Sequence, residues 1–468
     1  MRRAFFPSLV LIVLGYVGAS PARGQDAKPS EAPLLLAQPR ADYQARRRDL
    51  IARLAKEGGR GEIVVVLRGG DNIGNEDFEE GRFRQGNDFA YLTGVDTPGA
   101  WLVVLPKSKR ATLYLPPKSG PSAMNGENHD FGPGQEAAET LGFDEVRPTS
   151  KLLGDVFAAI ADPIRPAPGA GRSVVYLLKP DPAALDHRPS AKLARFLREG
   201  APNASFRDLA PTLGEMRKIK SPAEIALLQK AIDITGEANE DVVRTIQPGL
   251  FEYQLEAKIH GAFTNGGAMR PGFASIVASG PNGTIPHYFA NNRKMLDGDL
   301  VVVDVGAEYQ LYTADVTRTY PVNGKFTPRQ RELYQLVLDA QAATEESMRK
   351  GETQLGGTTQ FALSYLRKSP LRAKDENGRE FTMDHFLIHG VSHYLGMDVH
   401  DVGSYDPPLQ AGAVFTIEPG LYIKSENIGI RIEDDYLMTA AGPVKLSKNI
   451  ASTPDEIEAR IARARKKD

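Results

Sequence analysis

Two aspartates lie in the part of the sequence that most resembles buried β-strand. The stretch VVVDVGAEYQLYTADVTRTY, residues 301–320, is rich in the β-branched and aromatic residues that favour strands. Its pattern predicts an antiparallel hairpin with a midpoint between Tyr309 and Gln310. In that register Asp304 and Asp315 lie opposite each other on one side of the sheet, with Cβ atoms about 5 Å apart.

Two ionised carboxylates so close repel each other, so one of them must hold a proton or a cation must lie between them. The alternative is an offset turn, in which Asp304 and Asp315 cap backbone groups separately, because register is not determined by sequence alone.

A second acid-bearing hairpin follows in FTIEPGLYIKSENIGIRIEDDYLM, residues 415–438. Glu418 and Glu433 are equidistant from a polar turn centred at Ser425-Glu426, so they also face each other if the strands pair. The Pro-Gly pair after Glu418 must kink the first strand, which makes this register less secure than the first.

Histidines cluster between the two hairpins. The segment IHGVSHYLGMDVHD, residues 388–401, contains His389, His393 and His400. A spacing of four suits one face of a helix and alternate sites on a strand, so the spacing does not decide between them. A single histidine is usually a hydrogen-bonded core residue. Arg431 has a similarly plain interpretation, an intrastrand salt bridge with Glu433 two residues away.

Four acids and at least one histidine on converging hairpins predict a metal site. The chain has no cysteine, and oxygen donors outnumber imidazoles, which favours a hard or borderline ion such as Mn²⁺ over a zinc site built from Cys and His. Four carboxylates also carry more charge than one divalent ion neutralises. Two divalent ions about 3.5–4 Å apart balance that charge better.

The rest of the chain divides into an N-terminal arm and two domains. Residues 1–24 predict a signal peptide, with a basic start, an apolar run and the small-x-small site Ala22-Arg23-Gly24. An uncleaved membrane anchor is the alternative. Absence of cysteine favours a bacterial periplasmic or secreted protein. Residues 25–40 predict a linker.

Alternating strand-like and helix-like patterns over 41–212 predict an α/β N-terminal domain. Ser221, Pro222 and Glu224 predict a capping box at the start of a long helix, soon after a second domain begins. Helices and antiparallel strands over 213–450 predict an α+β fold. The helix-like, basic tail 451–468 predicts a solvated terminal helix. The formal net charge of −2 gives no pull toward nucleic acid or anionic membrane.

The sequence resembles the metallopeptidases of the pita-bread fold, and among them the Xaa-Pro aminopeptidases (aminopeptidase P). The resemblance runs from roughly 41 to 440. Its motifs are the Asp-x₁₀-Asp hairpin, HGVSHYLGMDVHDVG, TIEPGLY, GIRIEDD, RQGNDFAYLTGV (84–95) and SIVASGPNGTIPHY (275–288). It implies a creatinase-like N-terminal domain before a pita-bread catalytic domain, and a homo-dimer or homo-tetramer.

The resemblance also implies a role for each site residue. Two divalent ions, expected to be Mn²⁺ with Co²⁺, Zn²⁺ or Fe²⁺ as alternatives, would be held by Asp304, Asp315, His393, Glu418 and Glu433. His287 and His400 would contact the substrate and stabilise charge on the carbonyl oxygen. Glu418 would also carry the proton from the water to the leaving nitrogen, and Tyr422 would help at the transition state. The further substrate contacts would be His389, Arg431 and Asp88.

The implied activity is release of an N-terminal residue from peptides with proline in second position, by hydroxide attack that two metal ions activate. Prolidases share the fold and ligands, but Ser392 stands where we expect their glycine. Methionine aminopeptidases usually lack the first domain, and creatinases lack the metal carboxylates. A metal-free peptide- or protein-binding member of the fold is the alternative outside enzymes.

Overall fold

The computed structural model describes residues 34–57, 61–70, 83–118, 131–160, 171–178, 189–351 and 354–466. The predicted signal peptide and most of the predicted linker lie outside these ranges. No described helix is long and apolar enough to cross a membrane.

The N-terminal domain is a six-stranded mixed sheet with helices, as the alternating sequence pattern predicts. Its strand order is β6-β5-β4-β3-β7-β8, in which β3–β4 and β4–β5 pair antiparallel and the other pairs are parallel. In chain order its elements are β1 Leu34–Leu35, β2 Gln38–Pro39, α1 Arg40–Ala55, β3 Ile63–Arg68, α2 Asn87–Thr93, β4 Trp101–Leu105, β5 Arg110–Leu115, α3 Gln135–Leu141, β6 Glu145–Pro148, α4 Leu152–Ala159, β7 Val174–Leu177, α5 Pro189–Gly200, β8 Ser205–Asp208 and α6 Ala210–Arg217.

The second domain packs helices against small antiparallel sheets, which agrees with the predicted α+β class. Its sheets are β10-β11-β14, β13-β12-β9, β15-β16, β17-β20-β21 and β18-β19. Its elements are α7 Pro222–Thr245, α8 Glu252–Asn265, β9 Arg270–Pro271, β10 Ile276–Ser279, β11 Leu300–Val305, β12 Ala307–Tyr309, β13 Tyr312–Thr313, β14 Val316–Pro321, α9 Pro328–Arg349, α10 Leu355–Arg367, β15 Arg372–Lys374, β16 Glu380–Thr382, β17 Val414–Ile417, β18 Gly420–Ile423, β19 Ile428–Arg431, β20 Asp434–Thr439, β21 Gly442–Lys445 and α11 Pro454–Ala464.

Two terminal segments differ from their predictions. The end of the predicted linker forms the β1–β2 hairpin, and Gln38 there is buried because its side-chain oxygen accepts a hydrogen bond from Arg46. The predicted solvated C-terminal helix, α11, buries Ile457 and Ile461 in the core of the catalytic domain. In both segments the composition predicted side chains exposed to solvent, whereas a few of them are buried against the rest of the protein.

The two domains share an apolar core. One cluster contains Leu50 and Leu213 from the first domain together with Leu228, Leu395 and Val414 from the second. Burial of that much apolar surface stabilises the contact without any directional bond. The second domain is therefore packed directly against the N-terminal domain.

A buried polar link crosses the same interface at the start of α7. Glu224 receives a hydrogen bond from the Tyr312 hydroxyl at 2.9 Å and pairs with Arg46 of α1 at 3.2 Å. Glu224 also closes the predicted capping box, in which the Ser221 hydroxyl accepts from its backbone N–H at 3.3 Å. The cap thus holds in place a residue that joins the domains.

We expect Ser221→Ala to lower the free energy of unfolding by about 1 kcal/mol, because the N-cap acceptor of α7 is lost. Urea unfolding followed by circular dichroism measures this change. Ser108→Ala is the matched control, since that hydroxyl only donates to the Leu105 carbonyl in an exposed turn. Equal losses in both variants would contradict a specific role for the cap.

Candidate metal and peptide site

The first acid-bearing hairpin forms, but its register differs from the predicted one by two residues. Asp304 pairs with Thr317, not with Asp315. The turn lies one position later than predicted, because Gln310 and Leu311 both adopt positive φ and form the two-residue connection. The prediction of direct opposition is therefore wrong. A shift of two residues still keeps both acids on one side of the strands.

The second hairpin has the predicted register. Gly420 pairs with Arg431, so Glu418 and Glu433 each lie two residues beyond that pair. The turn lies at Lys424–Glu426, as predicted. Both glutamates fall in short gaps between paired strands, since β17 and β20 pair again from Ile417 and Asp434. The two acids face each other at a break in the ladder.

The histidine segment is neither a helix nor a strand. It runs beside β17, where the His393 N–H donates to the Thr416 hydroxyl and the Thr416 N–H donates to the His393 carbonyl. The Glu418 N–H donates to the Val391 carbonyl at 2.9 Å. These bonds bring His393 directly beside Glu418, which the spacing of the histidines did not reveal.

Three predicted ligands form a compact donor set. One ligand atom each of Asp315, His393 and Glu433 lies within 4.8 Å of the others, and all three residues are buried. His393 Nε2 is 3.3 Å from Asp315 Oδ2, 3.5 Å from Glu418 Oε1 and 3.8 Å from Glu433 Oε1. Its Nδ1 faces the Tyr394 carbonyl at 2.9 Å, which leaves Nε2 directed at the acids.

The carboxylates have unused bonding capacity. Within the described part of the chain, Asp304 Oδ1, Asp315 Oδ1 and Glu433 Oε1 are buried and accept no hydrogen bond. Burial raises the pKa of Asp315, Glu418 and Glu433, and neighbouring carboxylates raise each pKa further. Orphaned buried oxygens on converging acids are the arrangement that divalent cations relieve. The residues therefore fit metal binding.

Asp304 and Glu418 complete the predicted ligand set but have other contacts too. Asp304 Oδ2 accepts from Arg431 Nη2 at 2.5 Å. The plain interpretation of Arg431, a salt bridge with Glu433, is therefore wrong, because its guanidinium reaches across to the first hairpin. Glu418 Oε2 lies 3.7 Å from His389 Nδ1.

One cavity of about 450 Å³ contains the predicted metal ligands. His287, His389, His400 and Arg431 line it as well. Its remaining walls are largely apolar: Phe273, Ala274, Ile276, Pro286, Phe289, Gly390, Ser392, Val399 and Tyr405. The sequence assigned a role only to Ser392 among them, although Ile276, Pro286, Gly390 and Val399 also lie within the quoted motifs.

Tyr422 lies behind the pocket rather than on its wall. Burial and the nearby Arg431 charge lower the pKa of His389 to about 4, so its imidazole is neutral near pH 7. His389 Nδ1 donates to the Gly390 carbonyl, and Nε2 therefore accepts from the Tyr422 hydroxyl at 2.8 Å. That hydroxyl accepts from Arg431 Nη1 at 2.7 Å. Tyr422 thus orients two pocket residues.

The two remaining histidines face the cavity near the ligands. The His400 ring lies 4.3 Å from the His393 ring, centroid to centroid, at an interplanar angle of 57°. Burial, followed by the charges of His393 and His287, lowers the pKa of His400. His287 stacks beside Phe289 with centroids 6.1 Å apart.

Within the single chain the structure does not bring Asp88 to the cavity, and its contact with substrate stays a prediction. Asp88 does not line the cavity, and its carboxylate accepts from Arg217 Nη1 at 2.8 Å. The resemblance in the motif RQGNDFAYLTGV predicts that Asp88 lies near the site. The packing of α2 shows that the Asp88 carboxylate pairs with Arg217.

Comparison with known proteins gives matches over nearly the whole chain. Residues 226–440 match the model of metallopeptidase family M24, and residues 43–163 match the aminopeptidase P N-terminal domain. The Xaa-Pro aminopeptidase of Escherichia coli (strain K12) is 36% identical over 451 residues, covering 91% of this chain and 99% of that protein. Xaa-Pro aminopeptidase 3 of Mus musculus is 31% identical, covering 92% and 87%.

Solved structures agree with these matches. Proline aminopeptidase P II from Yersinia pestis superposes with a TM-score of 0.77 at 32% identity, covering 91% of this chain and 99% of that one. Aminopeptidase P from E. coli with the inhibitor Pro-Leu gives 0.75 at 33% identity, with the same coverage. The fold is therefore the pita-bread fold that the sequence predicts. This chain belongs to metallopeptidase family M24 and to its Xaa-Pro aminopeptidases.

Proposed function

We propose that this protein is a metallo-aminopeptidase that releases the N-terminal residue from peptides with proline in second position. The observation that carries the proposal is the cluster of Asp315, His393 and Glu433, whose unpartnered oxygens line a peptide-sized cavity with Asp304 and Glu418. The chain matches the E. coli Xaa-Pro aminopeptidase and the Yersinia pestis proline aminopeptidase over 99% of their lengths. This similarity favours aminopeptidase activity over that of a prolidase.

Bound divalent ions supply positive charge that polarises a carbonyl oxygen and eases the ionisation of water. The chain supplies the rest. Burial and the charge of Glu433 raise the pKa of Glu418, which makes this carboxylate a stronger proton acceptor than an exposed glutamate. The leaving nitrogen of proline is tertiary and must be protonated to depart. Glu418 is the residue placed to carry that proton.

The histidines and Arg431 bind the substrate in this proposal. His287 and His400 face the cavity and stabilise charge that develops on the scissile carbonyl oxygen. His389 and Arg431 form the polar side of the proline pocket, held in place by the Tyr422 hydroxyl. Apolar walls such as Phe273 and Pro286 suit a ring that lacks an N–H.

Two Mn²⁺ ions are the proposed cofactor. The set of four carboxylates and one imidazole favours a hard or borderline ion, and four carboxylates outweigh the charge of a single divalent ion. Metal analysis of protein purified without added metal tests the assignment. Two zinc ions per chain would contradict the assignment of Mn²⁺. A protein that is fully stable and contains no metal would contradict the proposal that it is a metalloenzyme.

Export and self-association are further parts of the proposal. The basic start, apolar run and Ala22-Arg23-Gly24 site of residues 1–24 support a periplasmic or secreted bacterial protein without membrane attachment after cleavage. The homo-dimer or homo-tetramer rests on the resemblance alone. Cell fractionation and light scattering test the two points, and a cytoplasmic monomer would contradict both.

We expect metal-loaded protein to cleave a tripeptide with proline second, to cleave an Xaa-Pro dipeptide poorly, and to leave a tripeptide without proline intact. The reason is that the cavity walls fit the proline ring and the open mouth admits residues beyond it. Product release followed by chromatography measures all three. Preference for the dipeptide would make the protein a prolidase.

Glu418→Gln should lower kcat on the order of 10²–10⁴-fold, because the amide keeps the volume but cannot carry the proton. Steady-state kinetics with the proline tripeptide measure the loss. Glu426→Gln is the matched control on the same hairpin, since Glu426 only pairs with Arg329 in the turn. Asp315→Asn should behave like Glu418→Gln. Turnover of both near that of the control would contradict the assigned roles.

A further inference from the structure

Arg217, at the end of α6, binds three carboxylates that come from two domains. Its side chain is 4% exposed. Nη1 donates to Asp88 Oδ1 of the N-terminal domain at 2.8 Å. Nη2 donates to Asp398 Oδ2 at 2.7 Å and to Asp401 Oδ1 at 2.6 Å, both in the catalytic domain. One guanidinium therefore joins α2 to the segment that precedes and follows His400.

That segment, Tyr394–Asp401, is here named the His400 loop. It contains neither helix nor strand, so individual hydrogen bonds hold its shape, among them those from the Leu395 N–H to the Val414 carbonyl and from the Thr313 N–H to the Gly396 carbonyl. The Asp401 N–H donates to the Tyr394 carbonyl at 2.9 Å and closes the loop. Lys220 Nζ donates to Asp401 Oδ2 at 2.9 Å, so both oxygens of this buried carboxylate are held by cations.

The loop is packed too closely around Asp401 for that carboxylate to move freely. A Cβ added at Gly396 would lie 2.1 Å from Asp401 Oδ2, so the carboxylate lies against the glycine backbone. On the far side of the loop, Asn87 Nδ2 donates to the Met397 carbonyl and to Asp398 Oδ1. Helix α2 and Arg217 therefore grip the same few residues.

Two residues of the His400 loop form part of the cavity wall. Val399 and His400 line the cavity, and His400 lies between the two aspartates that Arg217 binds. Its neighbour Asp401 is bound by Arg217 and Lys220. Displacement of Asp401 would move the adjacent His400 ring relative to His393, whose centroid is 4.3 Å away.

We propose that Arg217 is a positioning residue for His400. It fixes the position of the His400 side chain and makes that position depend on how the N-terminal domain packs against the second domain. The inference rests on the proposed function, because His400 matters only if the cavity hydrolyses peptides. Arg217 does not line the cavity and touches no predicted ligand. It acts through Asp401 and Asp398, while Asp88 anchors it to α2.

We expect Arg217→Gln to lower kcat/KM for the proline tripeptide on the order of 10²-fold, because misplacement of a catalytic group by about 1 Å has that effect. The loss should fall mainly in kcat, since His400 acts on charge that develops at the transition state. Amide hydrogen exchange, measured at equal metal content, should become faster in the His400 loop, a readout that does not depend on activity.

A double-mutant cycle with His400→Ala separates positioning from general damage. If Arg217 acts through His400, then Arg217→Gln should change kcat/KM by less than about 3-fold in the His400→Ala background. An equal loss in both backgrounds would overturn the proposal. So would unchanged exchange in the loop of the single variant.

A control variant, a substitute variant and the activity of the wild-type protein complete the test. Arg244→Gln is the matched control, because Arg244 pairs only with Asp241 on the exposed face of α7 and should leave kinetics and loop exchange unchanged. If Arg217→Gln does not fold, Arg217→Lys replaces it in the cycle, since lysine keeps the charge but lacks the second nitrogen with which the guanidinium reaches α2 and the loop at once. A wild-type protein inactive on proline peptides would refute the proposed function, whereas an additive cycle in active protein would refute only the positioning role.

Discussion

Repulsion among buried carboxylates is the constraint on which the rest of this structure depends. Asp304, Asp315, Glu418 and Glu433 converge on one cavity. Burial raises the pKa of Asp315, Glu418 and Glu433 there, which is the cost of placing their charges together. Two sets of contacts in the structure reduce this repulsion. Arg431 neutralises Asp304 from the side, and His393 stands between the other acids. The remaining unpartnered oxygens are the places where divalent cations lower the energy of the site.

The surrounding framework keeps these charges from moving apart. Arg318, fully buried in β14, donates to the Glu433 carbonyl at 2.7 Å and to Asp434 Oδ1 at 2.6 Å. The Thr317 hydroxyl donates to Glu433 Oε2. Each hairpin thus braces the acid of the other. Loss of a partner in so dry a region leaves an uncompensated charge, which is much more costly than a lost surface pair.

The comparison between sequence and structure is instructive at particular residues. The register of the second hairpin was predicted correctly because its polar turn centres the pairing, and the capping box at Ser221 depends only on residues three apart. The first hairpin shifted by two residues because Gln310 and Leu311 accept positive φ, which no pattern of hydrophobicity indicates. The pairing of Asp88 with Arg217 was not predicted, because the two residues lie 129 positions apart.

By itself the sequence predicted the acids and histidines that the structure brings to one cavity, since hard oxygen donors, histidines and hairpin patterns are local properties of the chain. It also determined the two-domain order and the fold class. Only the tertiary structure decided that Arg431 reaches Asp304, that Tyr422 stands behind His389, and that Arg217 joins α2 to the His400 loop. Those contacts join residues up to 184 positions apart. Packing decides them, because local preferences carry no information about partners so far away.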